Sequence, residues 1–371
     1  MAFAGESLAL QNVPEEIKTR DYTLKLEVLG QGLSVPWGIT FIDARHALIT
    51  EKRGTLRMMI DGKLMPDAVE GTPEVRDMGQ GGLMDVAIDP DYSKAGGADA
   101  WVYLGFNKPA AQGNRGHSLT SIVRGKIRDG KWTDNQVLWE GKAEHYTGSG
   151  VHFGTRIVFD REGKLFFAIG DRGNQSQSQD KTRPNGKMHR INRDGSIPSD
   201  NPFVNEPGAQ TSLFTLGNRN IQGISMHPET GQIWSCEHGP RGGDELNLMA
   251  SGKNYGWPVI TYGINYNGTP ITDKTEAPGM EQPATYWVPS IAVCGMDFYS
   301  GDRFAKWNNH LFIGALAGRQ VRRVVIEDGK VIEQEKILAD FGKVRDVQTS
   351  PDGFIYLVLN QPDVIVRVSP K

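Results

Sequence analysis

One pattern occurs six times along the 371 residues, and this repetition constrains the fold more than any other feature. Each copy has an apolar run with period-two alternation, a polar turn rich in Asp, Gly or Pro, and a second apolar run. Such units are typical of paired β-strands. The copies begin at Trp37, Leu83, Arg156, Gly223, Gly295 and Asp346. Further strand-like runs lie between them, so each repeat holds enough residues for about four strands.

These repeats predict an all-β fold, a six-bladed β-propeller with four-stranded antiparallel blades. The alternating stretches YTLKLEVLG and DVIVRVSP, near the two ends, are expected to be neighbouring strands of one shared blade that closes the ring. Residues 22–371 are expected to form this single domain, and residues 1–21 an N-terminal extension. The alternative is a sandwich of two stacked sheets, which six similar units fit less well.

Composition and motifs exclude several functions. A net charge of −3 gives no general attraction to nucleic acid or to an anionic membrane. No run of about 18 apolar residues is present, so we expect no membrane span. The sequence also lacks H-E-x-x-H, paired C-x-x-C, G-x-S-x-G and Walker patterns, which removes the main support for three common enzyme classes.

Two features leave alternatives open. The start, MAFAGESLAL, is not an intact signal peptide, and its A-F-A triplet fits either the remnant of a cleavage site or an ordinary terminus. Cys236 and Cys294 either pair or stay free, and we favour free thiols.

Polar residues next to the repeated strands are the candidates for chemistry. His152 lies in GSGVHFGTRIVFD, just before an apolar strand, and an imidazole can accept a proton near neutral pH. Asp171 follows the next strand in FFAIGDRGNQ. It either orients a histidine or caps its own turn.

Five further polar residues occupy similar positions in different repeats: Gln80, Arg219, Asn220, Lys343 and Arg345. In a propeller these positions converge on the central axis. Bringing cations together costs about 4 kcal/mol per pair at 4 Å and an effective dielectric constant near 20. The pattern therefore predicts an anionic ligand, either a polycarboxylate or a phosphate.

The segment EHGPRGGDELNLMASGKNYGWP, residues 237–258, is rich in glycine and acidic residues. Glycines allow backbone carbonyl groups to turn towards one point, and Ca²⁺ takes six to eight oxygen ligands. Asp244 and Glu245 add carboxylates, although their spacing is not that of an EF-hand. Taken alone, the segment fits a calcium loop and a plain turn equally well.

Four stretches in this order, VHFGTRIVFD, LGNRNIQG, EHGPRGGDELNL and GKNYGWP, resemble the soluble aldose sugar dehydrogenases that depend on pyrroloquinoline quinone (PQQ). These are relatives of soluble quinoprotein glucose dehydrogenase. The resemblance extends from about Val35 to Ser369. It implies a six-bladed propeller that uses PQQ and Ca²⁺ to oxidise an aldose to a lactone, passes electrons to an external acceptor and resides in the periplasm.

The resemblance also implies roles for individual residues. His152 is then the general base for the anomeric hydroxyl, and Asp171 supports it. The carbonyl groups of Gly239 and Pro240 hold the calcium that bridges to PQQ. Glu245 and the Tyr255 carbonyl hold a second, structural calcium. The positions implied to contact PQQ are Gln80, Arg219, Asn220, Tyr266, Ala317, Gly318, Arg319, Lys343 and Arg345.

Two positions depart from the pattern of these relatives. Ala317 stands where they often carry a cofactor-binding lysine, and Lys343 where they usually carry an arginine. Losing a cation near a tricarboxylate weakens binding, unless Arg319 turns into the pocket. Replacing Arg by Lys exchanges a bidentate fork for a point charge.

Two rival functions remain for such a fold. A calcium-dependent propeller lactonase or esterase needs carboxylates from several blades around one metal, whereas the chain has Arg, Lys, Gln and His at those strand ends. A non-enzymatic binding propeller would use its central loops to bind protein partners. The sequence does not fix the preferred aldose, the electron acceptor or the choice between monomer and homodimer.

Overall fold

The computed structural model describes residues 13–92, 99–111 and 116–371, which form 24 strands in six antiparallel sheets. Blade 1 contains β3 (Pro36–Phe41), β4 (His46–Glu51), β5 (Thr55–Ile60) and β6 (Lys63–Ala68). Blade 2 contains β7 (Leu83–Ile88), β8 (Val102–Pro109), β9 (Ser118–Arg128) and β10 (Lys131–Trp139). Blade 3 contains β11 (Ile157–Phe159), β12 (Leu165–Ile169) and β13 (Lys187–Ile191).

The second half of the chain forms three more blades. Blade 4 contains β14 (Ile221–Met226), β15 (Ile233–Glu237), β16 (Asp244–Met249) and β17 (Thr285–Trp287). Blade 5 contains β18 (Val293–Phe298), β19 (Leu311–Ala315), β20 (Gln320–Glu327) and β21 (Lys330–Ile337). Blade 6 contains β22 (Lys343–Thr349), β23 (Ile355–Asn360) and β24 (Val364–Pro370), extended by β2 (Thr23–Leu29) and β1 (Glu16–Lys18). Short 3₁₀ helices span Ala143–His145, Gln175–Ser178 and Ala305–Trp307.

The first strand of each repeat is the innermost strand of its blade. Strands β3, β7, β11, β14, β18 and β22 each contact the next, and β22 returns to β3, so the six blades close a ring. The predicted six-bladed propeller is confirmed. Blade 3 differs in having three strands in the described part of the chain, and a single bridge between His189 and Leu213 lies beyond β13.

The ring is closed by strands from the two ends of the domain. β2 pairs with β24 from Leu24 opposite Pro370 to Leu29 opposite Ile365, as expected from their alternating patterns. Within the predicted extension, β1 adds one more strand to β2. Residues 1–12 lie outside the described residues, so the boundary near residue 22 stays a prediction.

The apolar core lies between neighbouring blades. Leu48 and Leu56 of blade 1, for example, pack in one cluster with Leu83, Val86 and Leu104 of blade 2. Burying each such side chain contributes about 1.5–3 kcal/mol to the free energy of folding. These contacts stabilise the packing of neighbouring blades against one another. Within the described ranges, no helix is both long and apolar enough to cross a lipid bilayer.

Candidate active site

A recurrent irregularity aims side chains at the central axis. In β3, β7, β14, β18 and β22, the pairing with the next strand shifts near the beginning of the innermost strand. Such a bulge turns the side chain of its extra residue out of the regular alternation. Trp37, Gln222 and Arg345 are residues of this kind, and all three line one cavity.

This axial cavity has a volume of about 250 Å³ and is built from all six blades. One lining residue from each blade, in chain order, is Trp37, Gln80, Phe153, Gln222, Leu316 and Arg345. The structure therefore brings Gln80 and Arg345, predicted from distant repeats, to the same cavity. The guanidinium carbon of Arg345 lies 4.2 Å from the centre of the Trp37 ring, and its Nε donates to Asn360 at 3.2 Å.

His152 and Asp171 form a hydrogen-bonded pair. Nδ1 of the imidazole lies 2.6 Å from Oδ1 of the carboxylate, and the indole of Trp257 donates to Oδ2 at 2.9 Å. Burial alone would raise the pKa of the enclosed Asp171, but the hydrogen bond and charge of His152 and the Gly173 amide hold it below its ordinary value. A charged Asp171 keeps the proton of the imidazole on Nδ1, so Nε2 is free to accept another.

Neighbouring side chains fix the backbone that carries this histidine. The amide of His152 donates to Oε1 of Gln80 at 2.9 Å, and the amide of Gly154 donates to Oδ1 of Asn220 at 3.1 Å. His152 itself has a positive φ of 53°, which is uncommon for a non-glycine residue. Gln80 and Asn220 thus stabilise the turn that presents the imidazole.

Arg219 lies beside the dyad and is only 6% exposed. Its Nη1 donates to the carbonyl groups of His238 at 3.0 Å and Gly239 at 2.7 Å, and its guanidinium carbon lies 5.3 Å from the Trp257 ring. Among the described residues, its buried Nε has no hydrogen-bond partner, and the same is true of Nε2 of His238. Two buried polar atoms without a protein partner in one place require either ordered water or a polar ligand.

The four predicted metal residues meet at a second, small cavity of about 10 Å³, lined by Gly239, Pro240, Glu245 and Tyr255. This is room for about one water-sized occupant. Glycine is required at 239 because a Cβ there would lie 2.1 Å from the carbonyl oxygen of Gly243.

Two acidic side chains also reach this small cavity. Glu237 and Glu245 are paired across β15 and β16, and burial together with their mutual repulsion raises the pKa of Glu245 to about 8. A bound cation would reverse this effect, so the residues fit Ca²⁺. In the described part of the chain, no group of three or more His, Cys, Asp or Glu side chains is suited to a metal, so a cation at this cavity would need backbone carbonyl groups as further ligands.

The carboxylate of Asp244 accepts hydrogen bonds from backbone amides. Its Oδ1 accepts from the amide of Gly239 at 2.9 Å, and its Oδ2 accepts from the amides of Ile291 and Val293. It therefore fixes the loop that the sequence predicted as a calcium site.

The other predicted cofactor residues are more peripheral. Tyr266 is 73% exposed on the loop between β16 and β17. Ala317, Gly318 and Arg319 form the turn between β19 and β20, where Ala317 and Arg319 are exposed and the preceding Leu316 reaches the axial cavity. Lys343 begins β22, two residues before Arg345, and is partly buried.

The sequence analysis did not predict a buried ionic cluster that lies next to the axial cavity. Nη1 of Arg156 donates to Asp85 at 3.0 Å and to Asp346 at 3.1 Å, and its other nitrogens donate to the carbonyl groups of Gln222 and Arg345. Burial raises the pKa of Asp346 to about 7, against the opposing effect of Arg156. The cluster joins blades 2, 3, 4 and 6 across the axis.

A signal for this cluster exists in the repeats. The two aspartates occupy the same position in LMDVAI and VRDVQT, at the start of β7 and β22.

The two cysteines do not form a disulfide bond. Cys236 and Cys294 are both buried free thiols, as the sequence analysis favoured.

A closed β-propeller that carries a histidine–aspartate pair and buried cationic side chains near its axis has the features of an enzyme active site. The sequence profile described as glucose/sorbosone dehydrogenase matches residues 33–367. Aldose sugar dehydrogenase YliI of Escherichia coli (strain K12) is 40% identical over 356 residues, which cover 94% of each chain. Quinoprotein glucose dehydrogenase B of Acinetobacter calcoaceticus is 26% identical over 358 residues, 76% of this chain and 73% of that protein.

Solved structures agree with the sequence comparisons. The apo form of the soluble aldose sugar dehydrogenase from Escherichia coli superposes with a TM-score of 0.87 at 38% identity, covering 94% of this chain and all of that one (100%). The chain belongs to the glucose/sorbosone dehydrogenase family. The predicted family and enzyme class, a sugar dehydrogenase, are confirmed.

Proposed function

We propose that this protein oxidises aldose sugars at the anomeric carbon to lactones, with PQQ and Ca²⁺ as cofactors and electrons passed to an external acceptor. The observation that carries the proposal is the His152–Asp171 pair, at 2.6 Å, beside Arg219, whose buried Nε lacks a partner within the described part of the chain. A base next to unsatisfied cationic donors suits a hydroxyl substrate that reacts beside an anionic cofactor.

His152 is the general base in this proposal. Its Nε2 removes the proton of the anomeric hydroxyl, and Asp171 stabilises the imidazolium that forms while keeping the ring in orientation. The Trp257 indole and the Gly173 amide hold the carboxylate in turn, at 2.9 and 2.7 Å. Gln80 and Asn220 keep the histidine turn in place.

The axial cavity supports the choice of a carboxylated cofactor. Arg345 supplies a cationic donor, Trp37 and Phe153 supply flat apolar walls, and Gln222 supplies an amide. Arg219 supplies a second cationic donor from the small cavity, and His238 lines both cavities. A planar tricarboxylic quinone matches walls and charges of these kinds. When bound, PQQ would supply the acceptor for the hydride of the sugar, and Ca²⁺ would supply a Lewis acid that polarises the quinone.

Calcium is assigned to the carbonyl groups of Gly239 and Pro240, and a second ion to Glu245 and the Tyr255 carbonyl. The small cavity has room for about one water-sized occupant, so its fit and the raised pKa of Glu245 support one of these two ions. Ala317, Gly318, Arg319, Lys343 and Tyr266 are proposed as outer contacts of the cofactor. The side chains of Ala317 and Arg319 are exposed at this turn, so a bound molecule can reach them.

The rival lactonase activity is less well supported. It requires several carboxylates around one metal at the axis, whereas the axial cavity is lined by aromatic, amide and cationic side chains. Periplasmic residence, the external acceptor and a monomeric or homodimeric state remain parts of the proposal that follow from the resemblance alone.

Reconstitution tests the proposed function. The protein is freed of metal with a chelator, then supplied with PQQ and Ca²⁺, PQQ alone or Ca²⁺ alone, and reduction of a redox dye is followed with glucose and other aldoses. Dye reduction only with both cofactors supports the proposal. A folded protein that binds PQQ and Ca²⁺ without oxidising any aldose would contradict it, and hydrolysis of a lactone by the calcium form would favour the rival.

A further inference from the structure

Both backbone carbonyl groups assigned to the bridging calcium already have donors from the protein. The oxygen of Gly239 accepts from Nη1 of Arg219 at 2.7 Å, and the oxygen of Pro240 accepts from the hydroxyl of Ser290 at 3.4 Å. The first contact is short and charged, and it places a cationic group on the oxygen assigned to the metal.

Hydrogen bonds hold the backbone on both sides of the contact between Arg219 and Gly239. The amide of Gly239 donates to Asp244, and the amides of Arg219 and Asn220 both donate to Glu237. The backbone on both sides is therefore fixed, and the long side chain of Arg219 is the part able to move. Its buried Nε makes no hydrogen bond to any residue that the structure describes, so the observed position leaves one donor without a protein partner.

We propose that the Arg219 side chain is a latch on the calcium-binding carbonyl group of Gly239, released when an anionic cofactor offers its guanidinium a better partner. This inference rests on the proposed function, because it concerns one of the same carbonyl groups. Without the cofactor, the guanidinium opposes calcium at Gly239. With it, the guanidinium turns to the anion and the carbonyl oxygen becomes available to the metal.

The opposition persists even if the carbonyl oxygen binds both groups through its two lone pairs. A guanidinium nitrogen at 2.7 Å and a Ca²⁺ at the usual distance of about 2.4 Å from one oxygen lie only a few ångströms apart. Repulsion between them weakens calcium binding by at least about tenfold at effective dielectric constants below that of water. Calcium and cofactor binding are thus coupled through one side chain.

Calorimetric titration of the full-length, metal-free protein with Ca²⁺, in the absence of PQQ, tests the latch. Arg219→Gln removes the charge, and we expect it to tighten calcium binding by about tenfold or more. Arg345→Gln is the matched control, since it removes an axial cation whose Nε donates to Asn360, and we expect a change of less than about threefold. Arg219→Met is a second neutral variant, and circular dichroism verifies that each variant is folded.

The outcomes separate this inference from the proposed function. Equal or weaker calcium binding by the folded Arg219 variants overturns the latch and leaves the calcium site standing. If the wild type and all variants fail to bind Ca²⁺ at millimolar concentration, the calcium site is wrong and the latch with it. Equal tightening by Arg345→Gln also overturns the latch, because general charge then explains the effect.

Discussion

Nδ1 of His152 lies 2.6 Å from Oδ1 of Asp171, although 19 residues separate the two along the chain. The contact joins the turn before β11 to the loop after β12, so blade 3 alone supplies both members of the dyad. Gln80 and Asn220 of the neighbouring blades hold the backbone of the histidine turn, and the Trp257 indole holds the carboxylate, so the closed ring positions the dyad.

Replacing the base removes the proton acceptor. We expect His152→Ala to lower kcat by about 10²–10⁴-fold, the usual contribution of a general base, while PQQ and Ca²⁺ still bind. Steady-state kinetics of the reconstituted protein measure the change. A kcat equal to that of the wild type would remove His152 from its assigned role.

Asp171→Asn keeps the shape of the side chain and removes its charge. The amide no longer stabilises the imidazolium or fixes its tautomer, so kcat is expected to fall by about 10²-fold with little change in KM. Asp180→Asn, an exposed acid in the same loop, serves as control. Equal activities of the two variants would show that the carboxylate of Asp171 is not needed.

Asp171 also predicts a pH dependence of stability. Its pKa is held below the ordinary carboxyl value, so in acid the unfolded chain binds a proton that the folded protein does not. The charged carboxylate therefore stabilises the fold at pH values above about 4, and this contribution is lost as the pH falls through the lowered pKa. Urea unfolding of the wild type and Asp171→Asn between pH 3 and 7 should show a difference that shrinks in acid. A difference that is constant with pH would contradict this account.

The buried cluster around Arg156 predicts a large loss of stability. Arg156→Met leaves Asp85 and Asp346 without their cation, and we expect the free energy of unfolding to fall by about 3–5 kcal/mol. The triple variant with Asp85→Asn and Asp346→Asn should recover part of this loss, because amide oxygens can still accept from the amides of Ile157 and Ile39. Denaturant unfolding measures both. If the triple variant is the less stable of the two, unpaired charge is not the cause of the loss.

Chelation tests the second calcium. Glu245→Gln mimics the protonated side chain, so we expect it to weaken the stabilisation that Ca²⁺ gives through binding to the folded state. The melting temperature of the wild type should fall by several degrees on chelation, and that of Glu245→Gln by much less. Equal shifts would place the stabilising ion elsewhere.

The ring was predictable because its signals are local. Alternation within a strand and turn residues between strands can be read from a few neighbouring positions, as in DVQTSPDGFIYLVL, which forms β22 and β23. The pairing of β2 with β24 followed from the same alternation once closure was required.

The contacts across the axis were not predictable in the same way. Arg156 meets Asp85 and Asp346, which are 71 and 190 residues away, only because bulged strands aim them at one point. Trp257 likewise reaches Asp171 from another blade, 86 residues along the chain. Residue type alone indicates neither partner. Tyr266, assigned through resemblance, is mostly exposed in the structure.

The pairing of β2 with β24 has a consequence for how the protein is made. During synthesis, blade 6 lacks its third strand until residues 364–370 have left the ribosome. Until then β2 has no β24 with which to pair, so the ring stays open. The axial cavity, which draws a wall from every blade, does not exist before that moment. In the proposed function, binding of the cofactor therefore has to follow closure of the ring.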